Sequence, residues 1–280
     1  MLCFEAMYPD ANSIIGALSE EVWELPSELG PIVDFFEKLP FCWVQVINRE
    51  LSYTWLSRCP MVLLEESGLS FPELGLTISD YEVAGVIVRR HPVHAGMVRV
   101  SITSSSSGEK VLVDAPAWAE EAISKLSRNV VQVHSSGDVT ESKDRTSRKL
   151  CKCCNERRRK TRQDGESHPL YELLSVASLS ENGLRIDVEG ELFRFSTHFY
   201  PLNHGQDGGK MSLGASRSNL TLDLSEFFRA VARIGTIEQT RCSVIDCYHS
   251  YGDLLLSVSQ EGNELYALWS SMAKRAGSGR

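Results

Sequence analysis

Cys151, Cys153 and Cys154 put three thiols into four consecutive residues, C-K-C-C, and the next histidine along the chain is His168. Deprotonated sulfur is the soft donor that zinc or copper(I) favours, so the three cysteines, with His168 as a fourth ligand, form a candidate zinc site. Against this, structural zinc sites use C-x₂-C pairs, and neighbouring cysteines cannot easily aim both sulfurs at one tetrahedral ion. A cationic setting lowers thiol pKa values, which makes oxidisable, reactive cysteines an alternative chemistry. An exposed and inert tether is the plain alternative.

The setting is strongly cationic. Lys143 to Arg162 holds ten Lys/Arg against two acids, Asp144 and Glu156, in a protein of net charge −8. Within it, Arg157, Arg158, Arg159, Lys160 and Arg162 are the candidate contacts to nucleic acid or to an acidic partner. The run has no aromatic residue on which a base could stack, and the acidic flanking sequence would repel a polyanion. It could equally fold back onto an acidic surface of its own protein.

Other constellations are weaker. His91 and His94 stand three apart with no evident third ligand. Cys247 and His249 are two apart, hence on one face of a strand, where a thiol–imidazole pair is a nucleophile in principle. Gly205 to Met211 falls one residue short of a phosphate loop and has Met where a magnesium-binding hydroxyl must stand, so a mobile hairpin loop is expected there.

The elements that would carry these residues read as α+β. Helices are expected over 10–25, 31–39, 115–126 and 226–234. Strand patterns run from Phe41 to Thr103, at NVVQVH (129–134), and through YELLSVASL (171–179), GLRIDVEG and ELFRFSTHFY. CSVIDCYHS, DLLLSVSQ and ELYALWSSM (264–272) complete them. From Ser135 to Pro169 apolar residues nearly vanish, too few to offset the entropy of ordering the chain. The expected organisation is therefore two units of mostly antiparallel strands, each with a packed helix, joined by a basic disordered linker. The boundaries are 1–135, 136–168 and 169–272, with a frayed tail at 273–280. A repeat of G-L-x-I at Gly75 and Gly183, with helices at the same offset, raises a duplication.

With 280 residues, 42% hydrophobic and 24% charged, the chain can bury a sizeable core. It lacks a signal-peptide pattern and any long apolar run, so a cytoplasmic protein without membrane contact or disulfides is expected.

As a pattern, the last 110 or so residues, with Leu222 to Phe228 leading into a helix and Gly252 to Val258 into a final strand, resemble small bacterial toxin-immunity proteins of the WapI-inhibitor type. That resemblance implies a non-catalytic module that binds another protein and needs no cofactor. The alternative is a zinc- or nucleic-acid-associated regulatory protein acting through the C-K-C-C stretch, with nucleic acid a weak partner.

Overall fold

The computed structural model describes residues 23–25, 33, 35–91, 93–94, 96–104, 106–116 and 150–277. In chain order the first half forms β1 (Trp23–Leu25), a helical turn closing at Leu39, β2 (Phe41–Ile47) and β3 (Leu51–Arg58). It continues with β4 (Leu63–Glu65), β5 (Gly68–Phe71), β6 (Leu76–Ser79), β7 (Val83–Arg90), β8 (Met97–Ser104) and β9 (Lys110–Pro116). Two helices follow, α1 (Lys152–Gln163) and α2 (Pro169–Ala177). The second half forms β10 (Leu184–Glu189), β11 (Phe193–Phe199), β12 (Asn203–Asp207), β13 (Lys210–Gly214) and β14 (Ser218–Asp223). It ends with β15 (Arg229–Ile237), β16 (Thr240–Tyr248), β17 (Leu254–Glu261) and α3 (Glu264–Gly277).

These strands build two antiparallel sheets, and neither belongs to one half of the chain. The first runs β1-β7-β8-β9-β2-β3-β14-β13-β12 and the second β15-β16-β17-β10-β11-β6-β5-β4. The two orders are the same pattern. A hairpin (β2-β3 or β10-β11) sits beside a three-stranded meander of its own half (β7-β8-β9 or β15-β16-β17). The remaining meander (β4-β5-β6 or β12-β13-β14) crosses to the other sheet. Leu51 to Trp55 of β3 pair with β14, and Phe193 to Phe195 of β11 pair with β6. The chain is thus two halves of equivalent topology with reciprocal strand exchange. Its match is β2 with β10, not the G-L-x-I repeat, whose copies fall on the non-equivalent strands β6 and β10.

Alternation makes the core. On β2, Cys42, Val44 and Val46 are buried, and on β11 Phe193, Phe195 and Phe199 are buried, as a period of two requires of a sheet with one covered face. The inner faces meet where Tyr53 of β3 stacks on Phe195 of β11, with ring centroids 5.2 Å apart.

Several expectations are corrected. Two self-contained units would each need a complete sheet, whereas both sheets here are shared. The linker is disordered over neither Lys152–Gln163, which is α1, nor His168, which caps α2; its stretch 136–149 lies outside the described residues. YELLSVASL is helical because Leu170, Leu173, Leu174 and Ala177 share one buried face, with Pro169 at the first helical position. ELYALWSSM is helical for the same reason, burying Leu265 and Met272, and its helix continues to Gly277 instead of fraying at 273. Conversely, the 226–234 helix is strand. Arg229 to Ile237 make a nine-residue antiparallel ladder with β16, and that pairing overrides the helix propensity of Ala and Arg. Trp23 to Leu25 pair with β7 as strand, while the rest of the 10–25 helix lies outside the described residues. So do residues 117–126 of the 115–126 helix and the whole strand 129–134; Ala115 and Pro116 end β9. What holds of the expected class is mostly antiparallel sheet with few helices. Among the described residues, no helix is long and apolar enough to cross a membrane.

The exchange has a direct consequence. Residues 35–116 or 169–277 expressed alone expose the open edges of β3 and β6, or of β11 and β14, and should not fold cooperatively. Co-expressed, the halves should associate and recover the sheet signal by circular dichroism. A monomeric half with a sharp unfolding transition would contradict this topology.

Candidate functional site

Each exchanged meander returns to the sheet that holds its half's other meander at one of two equivalent corners, Asp80–Glu82 between β6 and β7 and Leu224–Glu226 between β14 and β15. The first corner buries none of its residues, and the second buries all three. Its one charged residue is Glu226, only 1% exposed, and the neighbouring elements converge on it.

Its carboxylate collects charge from three directions. Oε2 lies 2.5 Å from Arg158 Nη2 and 3.3 Å from Arg49 Nε, and Oε1 lies 3.4 Å from Arg162 Nη2. Arg162 also donates to Ser225 Oγ, and Arg157 donates to the Phe228 carbonyl at 2.8 Å. The guanidinium groups of Arg157 and Arg158 sit over the Phe228 ring at 5.7 and 5.9 Å. The basic helix is therefore docked on its own protein. Arg159 and Lys160 take no part in this docking; they pair with Glu156 within the helix.

The glycine-rich loop 205–210 is the β12–β13 hairpin, and its turn supports the end of α1. A Cβ on Gly209 would stand 2.8 Å from Arg162 Cα, and Gly165 N–H donates to Gly208 O.

His168 caps α2. Its Nδ1 accepts from Leu170 N–H at 3.2 Å, so the neutral ring carries its proton on Nε2, which donates to the Phe227 carbonyl at 3.1 Å. Burial lowers its pKa to about 4, and the imidazole is neutral at pH 7. The cysteines form a separate group. The thiol sulfurs of Cys151, Cys153 and Cys154 all lie within 4.8 Å of one another, and His168 is not among them.

The remaining sequence candidates are scattered. His91 Nδ1 accepts from the Val93 and His94 amides, and its Nε2 meets Arg99 at 2.8 Å, so it closes a turn. Cys247 is in the core with its thiol pushed up to about 12 by burial, which removes it as a nucleophile. His249, just past the end of β16, meets Glu226, whose Oε2 is 3.7 Å from His249 Nε2.

Two concavities matter. A cavity of about 40 Å³ lies between α2, α3, β15 and β16; His168, Arg157, Arg229, Cys247 and Trp269 line it together with Leu170, Phe227 and Ala230. It has an imidazole, two guanidinium groups, aromatic walls and no carboxylate. An open groove of about 300 Å³ at the far end of the second sheet carries His198, Tyr200 and Arg185, but also Glu181, Glu238 and Glu261. Sequence reasoning missed the first because it read α2 and α3 as strands; the His-Pro step opening α2 was the available signal.

No protein-family model and no curated protein matches this sequence. Solved structures do. Holo-PhuS, a heme-binding protein from Pseudomonas aeruginosa, superposes with a TM-score of 0.65 at 10% identity over 90% of this chain and 86% of its own. ChuS, an E. coli heme oxygenase, gives 0.62 at 10% identity over 91% of this chain and 88% of its own. The ChuS of E. coli O157:H7, described as a heme degrading enzyme, gives 0.61 at 9% identity, covering 87% and 82%. The fold is theirs. It is not the small single-helix fold of immunity proteins, so that resemblance falls. With it fall the non-catalytic protein-binding reading, the expectation of no enzyme and no cofactor, and the zinc- or nucleic-acid regulatory alternative.

Two outcomes follow from the geometry. Glu226→Ala strips α1 of its anchor and should cost about 3 kcal/mol, the low end for a buried pair because Arg49 and Arg162 keep solvent. Native-state trypsin cleavage among Arg157 to Arg162 should accelerate roughly a hundredfold; an unchanged rate would mean α1 is held elsewhere. The second outcome concerns His168, which has a depressed pKa. As pH falls below 6.5 the unfolded chain takes a proton that the native imidazole refuses until about pH 4, so stability is lost across that window. Glu50, raised to about 7 chiefly by burial, acts oppositely, so the comparison must be with a variant. His168→Asn keeps a capping side chain and should gain roughly 2–3 kcal/mol on wild type between pH 7 and pH 4.5 in urea unfolding. A constant difference would refute a neutral His168.

Proposed function

We propose that this chain binds heme, in the slot between α2, α3 and β15. The supporting observation is the wall itself: a buried neutral imidazole, two arginines and no carboxylate, on the fold of heme-binding proteins. A dianionic macrocycle needs an apolar slot, an axial donor and cations for its carboxylates. Leu170, Phe227, Ala230 and Trp269 are the apolar faces, His168 the donor, and Arg157 and Arg229 the cations. The open groove, with three carboxylates in its wall, would repel the same ligand.

The slot as it stands is closed, since ligand pockets run to about 300–1,000 Å³. Arg157 and Trp269, which help to close it, both stand on helices, so it can widen without breaking a sheet ladder. His168 must release the Phe227 carbonyl and shift its proton from Nε2 to Nδ1, giving up the Leu170 contact in exchange. Being neutral at pH 7, it loses no proton to solvent. Bound iron would supply redox and oxygen chemistry; the residues of the slot account for binding. The seven cysteines among the described residues are free thiols, in keeping with a reducing compartment such as the cytoplasm.

Titrating hemin into the purified chain should give a saturable Soret band at one equivalent. His168→Ala should shift that band and weaken binding about tenfold or more, while His198→Ala and His249→Ala leave it unchanged. Arg157→Ala with Arg229→Ala should weaken binding without moving the band. No saturable uptake would overturn the function. Dependence on His198 instead would relocate the site to the open groove.

A further inference from the structure

The three thiols at the start of α1 take no part in the docking of that helix or in the heme slot. Cys151 is the N-cap residue, its sulfur accepting from Cys154 N–H at 3.4 Å, and Cys151 and Cys153 sulfurs lie 2.7 Å apart. The cap thereby folds the chain back so that all three sulfurs converge within 4.8 Å, overcoming the unfavourable spacing. An ion held about 2.3 Å from each of three sulfurs needs a triangle with edges of about 4 Å, which this cluster makes by opening the Cys151–Cys153 pair. Cys151 and Cys153 are exposed and Cys154 is half-buried, so an ion can enter from solvent.

We propose that Cys151, Cys153 and Cys154 form a three-coordinate thiolate site for copper(I). The donor set is all sulfur, which selects soft ions. No fourth donor joins the group among the described residues: His168 stands outside it, and Glu156 is held by Arg159 and Lys160. A closed tetrahedral ion is therefore poorly served, and a trigonal one well served. Three thiolates around copper(I) carry a net charge of −2, which the N-terminal end of α1 and the side chain of Lys152 offset.

The test uses the full chain, reduced with a phosphine under anaerobic conditions, titrated into the coloured copper(I)–bicinchoninate complex. One copper(I) per chain should be withdrawn. Cys151→Ser, Cys153→Ser and Cys154→Ser should each weaken withdrawal about tenfold or more, and Cys59→Ser, an exposed thiol elsewhere, should not. No withdrawal by wild type, or withdrawal indifferent to the three serine variants, overturns the site. Withdrawal of zinc from a chromogenic chelator without withdrawal of copper(I) overturns the choice of ion.

Discussion

Reciprocal strand exchange is the constraint on which the rest of this molecule depends. A meander that leaves its own half must cross from one sheet to the other twice, and each crossing concentrates backbone groups that need partners. The return crossing of each half is satisfied in the same way: Ser79 N–H donates to Leu192 O and Asp223 N–H to Glu50 O, both at 2.8 Å. Each bond joins a corner of one half to a hairpin turn of the other. Glu109 adds a further tie, its buried carboxylate accepting from the amides of Glu191 and Leu192. Pairing β3 with β14 and β11 with β6 also covers strand edges that would otherwise be open to other chains.

The repeated topology gives two corners, and they differ in burial. Glu82 at the first corner receives a long hydrogen bond from Ser106. Glu226 at the second is enclosed and neutralised by arginines from the β2–β3 turn and from α1. A carboxylate this deeply buried is tolerable only with such partners. The consequence is positional: α1 lies across the corner, Arg157 is aimed over Phe228 into the slot wall, and the cysteine cap is left projecting at the other end of the helix.

The slot gathers residues from five elements around one short stretch of backbone. Phe227 O receives His168, Phe228 O receives Arg157, and the next residue, Arg229, starts the ladder with β16. The same short segment thus orients an imidazole and two cations. Burial keeps the imidazole uncharged, the form in which a nitrogen lone pair can be offered to a metal.

Much of this was legible in the residues themselves. Period-two burial on β2, β3, β10 and β11 follows from alternating side chains, and the C-K-C-C thiols and the cationic run stand out by type alone. The possibility that the arginines fold back onto an acidic part of the same protein was also readable from charge. Which acid they meet was not, because Glu226 is one of 37 acidic residues and is singled out only by its corner. Helix or strand in short apolar segments was decided by tertiary pairing: β15 is strand because β16 lies beside it, whereas α2 and α3 bury one face each. The exchange of meanders between sheets leaves no local mark, since antiparallel pairing reads the same whichever half supplies the partner. Local sequence therefore determined the faces and the chemistry on hand, and the tertiary fold decided which of those chemistries meet.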